Sequence, residues 1–173
     1  MSKVIKQFVG HHGTRHDIAN KIKRYGFKPS PGGWLGEGVY FFQENKELAR
    51  MWAEKKNIDC RIEVLERKIK VEDEKVFDMV DPLGTDNKLF HKLRLDLIEK
   101  SKEFGVKCNF DKEKIEEQIR KIETGIINKI CENGNYEVVR ASTFTKSRYG
   151  LDIWSVCPNG IEICVKNNKY IYI

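Results

Sequence analysis

Three short patterns place residues capable of chemistry beside expected turns or strand ends. His12-Gly13-Thr14 follows an apolar run that predicts a first strand over residues 3–10 and a turn at Gly10–Thr14. A histidine at that point can present its ring to a ligand, and Gly13 lets a ligand approach the backbone closely. An ordinary turn histidine has the same local pattern, so the tripeptide alone does not identify a site.

The second pattern is a pair of glycines in front of an aromatic strand. Gly36-Glu37-Gly38 precedes a β run over residues 39–42, and glycines there permit a close backbone approach or an unusual turn. Tyr40 would offer a flat ring on a fixed element, with a hydroxyl at its tip. A core aromatic after a tight turn is the competing interpretation.

The third pattern is a carboxylate in an otherwise apolar strand. Glu162 begins the run predicted as a strand over residues 161–166, where glutamate is unfavourable and costly if buried without a partner. A salt-bridged or exposed strand-end glutamate remains an alternative. A turn-rich loop over residues 28–38, which includes Ser30 and Trp34, lies between His12 and Tyr40 and could form a flap over a bound ligand.

The elements that must position these residues follow an order of strands, then helices, then strands. Apolar spacing predicts a helix over residues 16–25, and Asn45 is a suitable cap for a second helix over 46–55. Alternating apolar residues predict one strand or two over 60–71. Two isoleucine- and leucine-rich stripes predict helices that pack on the sheet in the middle of the chain, with Asp111 as an N-cap, and strands return at 136–141, 153–156, 161–166 and 170–173. The order predicts an α+β domain in which N- and C-terminal strands pair across the helical middle.

Composition narrows the class of protein. The chain has 173 residues, 40% hydrophobic and 34% charged, which predicts one globular domain over residues 1–173. No apolar run is long enough for a membrane span, and the first residues lack the pattern of a signal peptide. Five cysteines without a C-x-x-C pair favour free thiols in a cytoplasmic protein, and neither a disulfide framework nor a metal site is predicted. The net charge of +6 favours a polyanionic partner weakly.

Taken together, the order and spacing of the patterns resemble the His-Tyr-Glu class of ADP-ribosyltransferases, which includes diphtheria-toxin-like and poly(ADP-ribose)-polymerase-like domains. His12-Gly13-Thr14 is similar to the class's His-Gly-Ser/Thr motif, and Gly36 to Phe41 to its Gly-x-Gly-x-Tyr-Phe segment. The following helix with Ala49, and Glu162 at the start of a late strand, complete the likeness to a small bacterial or phage member. The first two motifs cover residues 8–55, whereas residues 72–133 match no motif.

The resemblance implies a split antiparallel sheet with flanking helices and NAD⁺ in the cleft between its halves, with no metal. His12 would bind the adenosine ribose, the Gly13 backbone the nicotinamide amide, and Tyr40 would stack on the nicotinamide ring. Glu162 would bind the 2′-hydroxyl of the nicotinamide ribose and act as the catalytic residue with His12 and Tyr40. Thr14, Ser30 and Trp34 would contribute to NAD⁺ binding, and Trp52 could supply a second stacking ring.

The expected activity is mono-ADP-ribosylation of a macromolecular acceptor, either protein or nucleic acid. Gly160 stands where arginine-specific members carry a second glutamate, which argues against arginine as acceptor. The segment 143–160, with its basic and aromatic side chains, would select the acceptor: Lys146, Arg148, Tyr149, Asp152 and Trp154. A toxin restrained by a neutralising antitoxin protein is one hypothesis. The alternatives are an NAD⁺ glycohydrolase, an RNA 2′-phosphotransferase, a non-catalytic NAD⁺- or ADP-ribose-binding module, and an unrelated α+β domain.

Overall fold

The computed structural model describes residues 3–103, 115–144 and 157–173. Within them the elements, in chain order, are β1 (Ile5–Arg15), α1 (His16–Tyr25), β2 (Ser30–Gly33), β3 (Gly36–Gln43), α2 (Lys46–Lys56), β4 (Ile62–Glu72), β5 (Val76–Met79), α3 (Thr85–Glu103), α4 (Ile115–Gly134), β6 (Val138–Thr143), β7 (Gly160–Val165) and β8 (Ile171–Tyr172). None of the helices in these ranges is long and apolar enough to cross a membrane.

The strands form one largely antiparallel sheet in the order β5-β6-β7-β3-β1-β4-β8, with β2 alongside β3. The one parallel pairing recorded among the described strands joins β5 to β6. Late strands pair with early ones, since β7 lies beside β3 and β8 beside β4. The predicted α+β fold, with terminal strands pairing across a helical middle, is therefore confirmed.

The sheet divides where β1 separates from β3. These two strands are paired only at Gly10↔Gln43 and His11↔Phe42, whereas β1 pairs with β4 along its whole length. The opposite end of the same β3 edge is paired with β2, from Ser30↔Gly38 to Gly33↔Gly36. The middle of that edge, at Tyr40, consequently faces a gap between β1 and β2, which we call the split.

Each face of the sheet carries its own apolar core. On one face, α1 and the segment at Phe27 cover a cluster that contains Phe41 and Ile163. On the other face, α2 covers β1 and β3 through Leu48 and Ala49, while α3 and α4 cover β5, β6 and β7. Because side chains alternate along a strand, Tyr40 and Glu162 lie on the α2–α4 face and His12 lies on the α1 face.

The α2 helix begins as its sequence predicts and packs on β1 without clearance. The Asn45 side chain accepts a hydrogen bond from the Leu48 N–H at 2.9 Å, which satisfies one of the free donors at the helix start. A Cβ on Gly13 would lie 2.0 Å from the Ala49 carbonyl oxygen. Glycine is therefore needed at residue 13 for the helix to rest on the strand.

Three expectations about strands were wrong. The turn predicted at Gly10–Thr14 is part of β1, because β4 pairs with this strand as far as Arg15↔Ile62. The predicted loop over residues 28–38 contains β2, and the middle of the chain contains the short strand β5. Both of these strands have only four residues and depend on pairing with a partner, so the local sequence does not mark them.

The α3 helix differs from the expectation that the apolar stripes of both middle helices pack on the sheet. Leu89, Leu93 and Leu97 are more than one-third exposed and line a groove of 480 Å³ with Ile126 and Ile130 of α4. From α3 the core contact comes from Phe90, outside the predicted stripe, whereas Ile130 and Ile126 of the predicted α4 stripe do join the core, together with Ile127. The predicted cap Asp111, the strand at 153–156 and Cys108 lie outside the described residues.

Candidate active site

Glu162 is the centre of the candidate site. It lies on β7, partly buried on the α2–α4 face, opposite Phe42 of β3 and Ala141 of β6. One carboxylate oxygen, Oε1, accepts a hydrogen bond from the Thr143 hydroxyl at 2.8 Å, and the other, Oε2, accepts one from the Trp34 indole N–H at 2.8 Å. Two donors therefore fix the orientation of the carboxylate.

The electrostatic setting of Glu162 combines burial with nearby cations. Burial raises the pKa of this carboxyl above its usual value of 4.5, because the charged form loses hydration. The hydrogen bonds from Trp34 and Thr143, and the charges of Lys56 on α2 and Arg120 on α4, lower the pKa and partly offset the burial. A poorly hydrated carboxylate with fixed hydrogen bonds is suited to stabilise a positive charge that develops beside it.

Tyr40 lies on the same face as Glu162, in the middle of β3. Its register partner is Cys164, two residues beyond Glu162 on β7. The phenol donates a hydrogen bond to the Gly36 carbonyl at 2.6 Å and accepts one from the Leu35 N–H at 2.9 Å. A Cβ on Gly33 would lie 2.1 Å from the ring carbon Cζ, so the β2 backbone packs against the ring. The β2–β3 hairpin thus holds the Tyr40 ring in one orientation.

His12 reaches the split from the opposite face. Its Nδ1 lies 2.8 Å from the Tyr40 carbonyl oxygen, and its ring makes edge contacts with Phe27 and Phe41. Burial lowers the pKa of this imidazole, which favours the neutral ring. Because a carbonyl can only accept, Nδ1 carries the proton and Nε2 has a free lone pair. His12 can therefore accept a hydrogen bond from a ligand hydroxyl.

The Gly13 backbone faces the split. The Val9 carbonyl accepts a hydrogen bond from the Glu44 N–H at 2.9 Å, so the backbone groups of Val9 point toward the β3 side. Backbone direction alternates along a strand, and His11 and Gly13 share this direction. The recorded ladder ends at His11↔Phe42, and the Tyr40 carbonyl bonds with His12 instead. An N–H and a C=O of Gly13 are thereby presented side by side, a pattern that can bind a carboxamide.

The remaining predicted binding residues lie at different distances from the Glu162 carboxylate. Trp34 contacts it directly, as described above. Trp52 packs edge-on against Phe42 at 6.5 Å, and the Lys56 ammonium lies 3.8 Å above its ring centroid. Thr14 is partly buried on β1 just beyond the split, and Ser30 is exposed on β2. The structure therefore brings Trp34, Tyr40 and Glu162 together and connects His12 to them through the Tyr40 backbone.

Sequence reasoning missed three residues near Glu162. Thr143 ends β6, two residues beyond the predicted strand, and reaches Glu162 through the β6–β7 pairing. Lys56 and Arg120 come from α2 and α4, which pack on the same sheet face. No local pattern marks these three, because only the tertiary fold brings them near the carboxylate. The predicted acceptor residues Lys146, Arg148, Tyr149, Asp152 and Trp154 lie outside the described residues.

The groups described above can hydrogen-bond to hydroxyl and carboxamide groups of a ligand. Within residues 3–103, 115–144 and 157–173, no three His, Cys, Asp or Glu side chains converge as metal ligands. Three cysteines in these ranges are free thiols: Cys60, Cys131 and Cys164. Compared with known proteins, the chain matches no family model, no curated protein and no solved structure.

Proposed function

We propose that this protein is an NAD⁺-dependent mono-ADP-ribosyltransferase with Glu162 as its catalytic carboxylate. The observation that carries the proposal is the placement of Glu162: its carboxylate is oriented by two hydrogen bonds and lies on the same sheet face as Tyr40, beside the split. On the β1 side of the split, the Gly13 backbone lies beyond the last β1–β3 pair, and His12 is held by its Nδ1 bond to the Tyr40 carbonyl with Nε2 as its acceptor. This set of groups fits a nicotinamide nucleoside.

The chemistry follows from the charge of Glu162. When the bond between ribose C1′ and the nicotinamide nitrogen breaks, nicotinamide leaves with the bonding pair and the ribose becomes oxocarbenium-like. A fixed carboxylate beside that charge stabilises the transition state, and removing one such group typically costs about 2.7–4 kcal/mol. An acceptor nucleophile then forms the new bond to C1′ and loses its proton. The site must limit water, since hydrolysis would compete with transfer.

Each residue of the site has a defined part in binding NAD⁺. The Gly13 N–H and C=O would hold the carboxamide, and the Tyr40 ring, fixed by Gly36 and Leu35, would stand beside the nicotinamide. The neutral His12 would accept a hydrogen bond from the adenosine ribose. Thr14, Ser30 and Trp52 would line the ends of the cleft.

Trp34 has a separate place in this scheme. Its indole N–H bonds to the Glu162 oxygen Oε2, where a ribose hydroxyl would bind during the reaction. We therefore expect the substrate hydroxyl to replace the indole as the donor to Oε2.

The acceptor is a protein or a nucleic acid in this proposal, and the protein acts in the cytoplasm. Incubating wild type and Glu162→Gln with labelled NAD⁺ and crude lysate tests transfer directly. Label that enters a protease- or nuclease-sensitive fraction only with wild type supports a transferase and names the acceptor class. Free ADP-ribose as the sole labelled product would replace transfer with NAD⁺ hydrolysis.

A toxin role makes a separate prediction for living cells. Expression of wild type would arrest growth, whereas expression of Glu162→Gln would not, and a neutralising partner would restore growth. Equal growth with both proteins would contradict the toxin role. The transferase activity itself would still be tested by the labelling experiment.

A further inference from the structure

Thr143 is a buried hydroxyl residue whose side chain bonds to the candidate catalytic carboxylate. It is only 7% exposed and lies at the end of β6, paired with Gly160 at the start of β7. Its hydroxyl donates to Glu162 Oε1 at 2.8 Å. An ionised carboxylate can only accept hydrogen bonds, so the donor in this pair is Thr143.

The backbone around Thr143 is fixed independently of any ligand. Its carbonyl accepts a hydrogen bond from the Asn159 N–H at 3.0 Å, and β6 and β7 are paired from Val138↔Val165 to Thr143↔Gly160. The second donor to Glu162, Trp34, comes instead from the connection between β2 and β3, and a substrate hydroxyl can take its place. Thr143 is thus the donor to Glu162 whose position is set by strand pairing within the sheet.

We propose that Thr143 is a positioning residue for the transfer reaction: its hydroxyl holds Oε1 of Glu162 and leaves Oε2 directed toward the substrate. This inference rests on the function proposed above. Thr143 does not touch the substrate and acts only through the carboxylate. Without the hydroxyl, Glu162 would rotate among its rotamers and lose a hydrogen bond that favours its charged form.

The other charged or titratable groups facing Glu162 remain unchanged in a Thr143 variant. They are Lys56 from α2, Arg120 from α4, Tyr40 from β3 and Cys164 from β7. A change in the titration of Glu162 in such a variant can therefore be assigned to the lost hydroxyl.

Three variants test this role. Thr143→Val removes the hydroxyl and keeps the shape, whereas Thr143→Ser keeps the hydroxyl and removes the methyl group. Ser142→Ala removes a hydroxyl from the neighbouring residue, which points to the other face of β6. The first readout is the ¹³C NMR titration of the Glu162 carboxyl carbon, assigned by its absence in Glu162→Gln. This titration can be measured whether or not the protein is active as an enzyme. Thermal melting confirms that each variant is folded.

We expect the Glu162 carboxyl to titrate at a higher pH in Thr143→Val than in wild type, and to titrate as in wild type in both control variants. In the nicotinamide-release assay, kcat should fall about ten- to a hundredfold in Thr143→Val with KM little changed, because a hydrogen bond to a charged group is lost. The acidic limb of its pH profile should move to higher pH, and Thr143→Ser should retain activity.

Three results would overturn the inference. They are an unchanged Glu162 titration in Thr143→Val, an unchanged kcat in that variant, or an equal loss of kcat in Thr143→Ser. Wild type that releases no nicotinamide, while Thr143→Val still shifts the Glu162 titration, would reject the proposed function and with it the role of Thr143 in transfer, but not the hydrogen bond between Thr143 and Glu162. In that case the hydrogen bond would hold Glu162 without a role in this reaction.

Discussion

Replacing Gly13 with alanine would force α2 away from β1. The added methyl group would lie 2.0 Å from the Ala49 carbonyl oxygen and 3.0 Å from the Ala53 Cβ. The first distance is far below a normal carbon–oxygen contact, and the atom it meets belongs to a helix backbone that cannot rotate away. The helix must therefore move, and the Trp52 side chain on the same helix must move with it.

The expected cost follows from this clash. Overpacking a well-packed interior typically costs 1–3 kcal/mol, and a main-chain clash belongs at the upper end, so we expect about 3 kcal/mol. For a chain of this size, that corresponds to a fall in Tm of about 6–12 °C. Scanning calorimetry of wild type and variant at matched concentration and pH measures it.

Gly125→Ala is the matched control for this experiment. Gly125 is exposed on α4, and a Cβ there would meet no atom within 4 Å. Alanine is a better helix former than glycine by about 1 kcal/mol, so this variant should melt about 2–4 °C higher than wild type. If Gly13→Ala melted at the wild-type temperature, the packing of α2 directly on β1 would be refuted.

Three further predictions concern Glu162 and its surroundings. Glu162→Gln should lose activity and yet be no less stable than wild type at neutral pH. Because the pKa of Glu162 is raised in the folded protein, ionising this carboxyl lowers the free energy of unfolding as the pH rises from about 4.5 through the folded pKa. Urea titrations across that range should therefore show the variant becoming increasingly more stable than wild type. Nicotinamide release should show an acidic limb centred above pH 4.5, because only the ionised Glu162 stabilises the transition state; a limb at or below that value would contradict the assignment. Trp34→Phe should lower KM and move the acidic limb of kcat/KM to higher pH, while the acidic limb of kcat stays in place. The reason is that the indole bonds to Glu162 in the free enzyme and is replaced there by a substrate hydroxyl in the complex. A shift in both limbs would show that Trp34 stays bound to Glu162 during turnover.

The sequence predicted those parts of the fold whose signal is local. The α1 and α2 helices appear as expected because each has helical apolar spacing, and Asn45 caps α2 through its own side chain. Strand β5 was missed because its four residues are a strand only through pairing with β6, far away in the chain. Leu89, Leu93 and Leu97 follow helical spacing, yet spacing does not say whether a helix packs on a sheet or on another helix.

The candidate site was predictable only for residues that belong to a local sequence pattern. Tyr40 and Glu162 were singled out from separate patterns, and the β3–β7 pairing places them on one face. Gly13 was expected to allow a ligand close to the backbone, and the structure adds a packing reason, since α2 fills the space of its missing side chain. The hydrogen bonds to Glu162 from Trp34 and Thr143 depend on strand pairing and a hairpin, which local spacing does not encode.

Nicotinamide release from NAD⁺ by wild type and Glu162→Gln, measured side by side on proteins shown to be folded, tests the central claim most directly. The account predicts release by wild type and a fall in kcat of about a hundredfold or more in the variant, the size expected when one preorganised electrostatic group is removed. Equal release by the two proteins, or none by wild type with any acceptor fraction present, would contradict the assignment of Glu162 as the catalytic carboxylate of an ADP-ribosyltransferase.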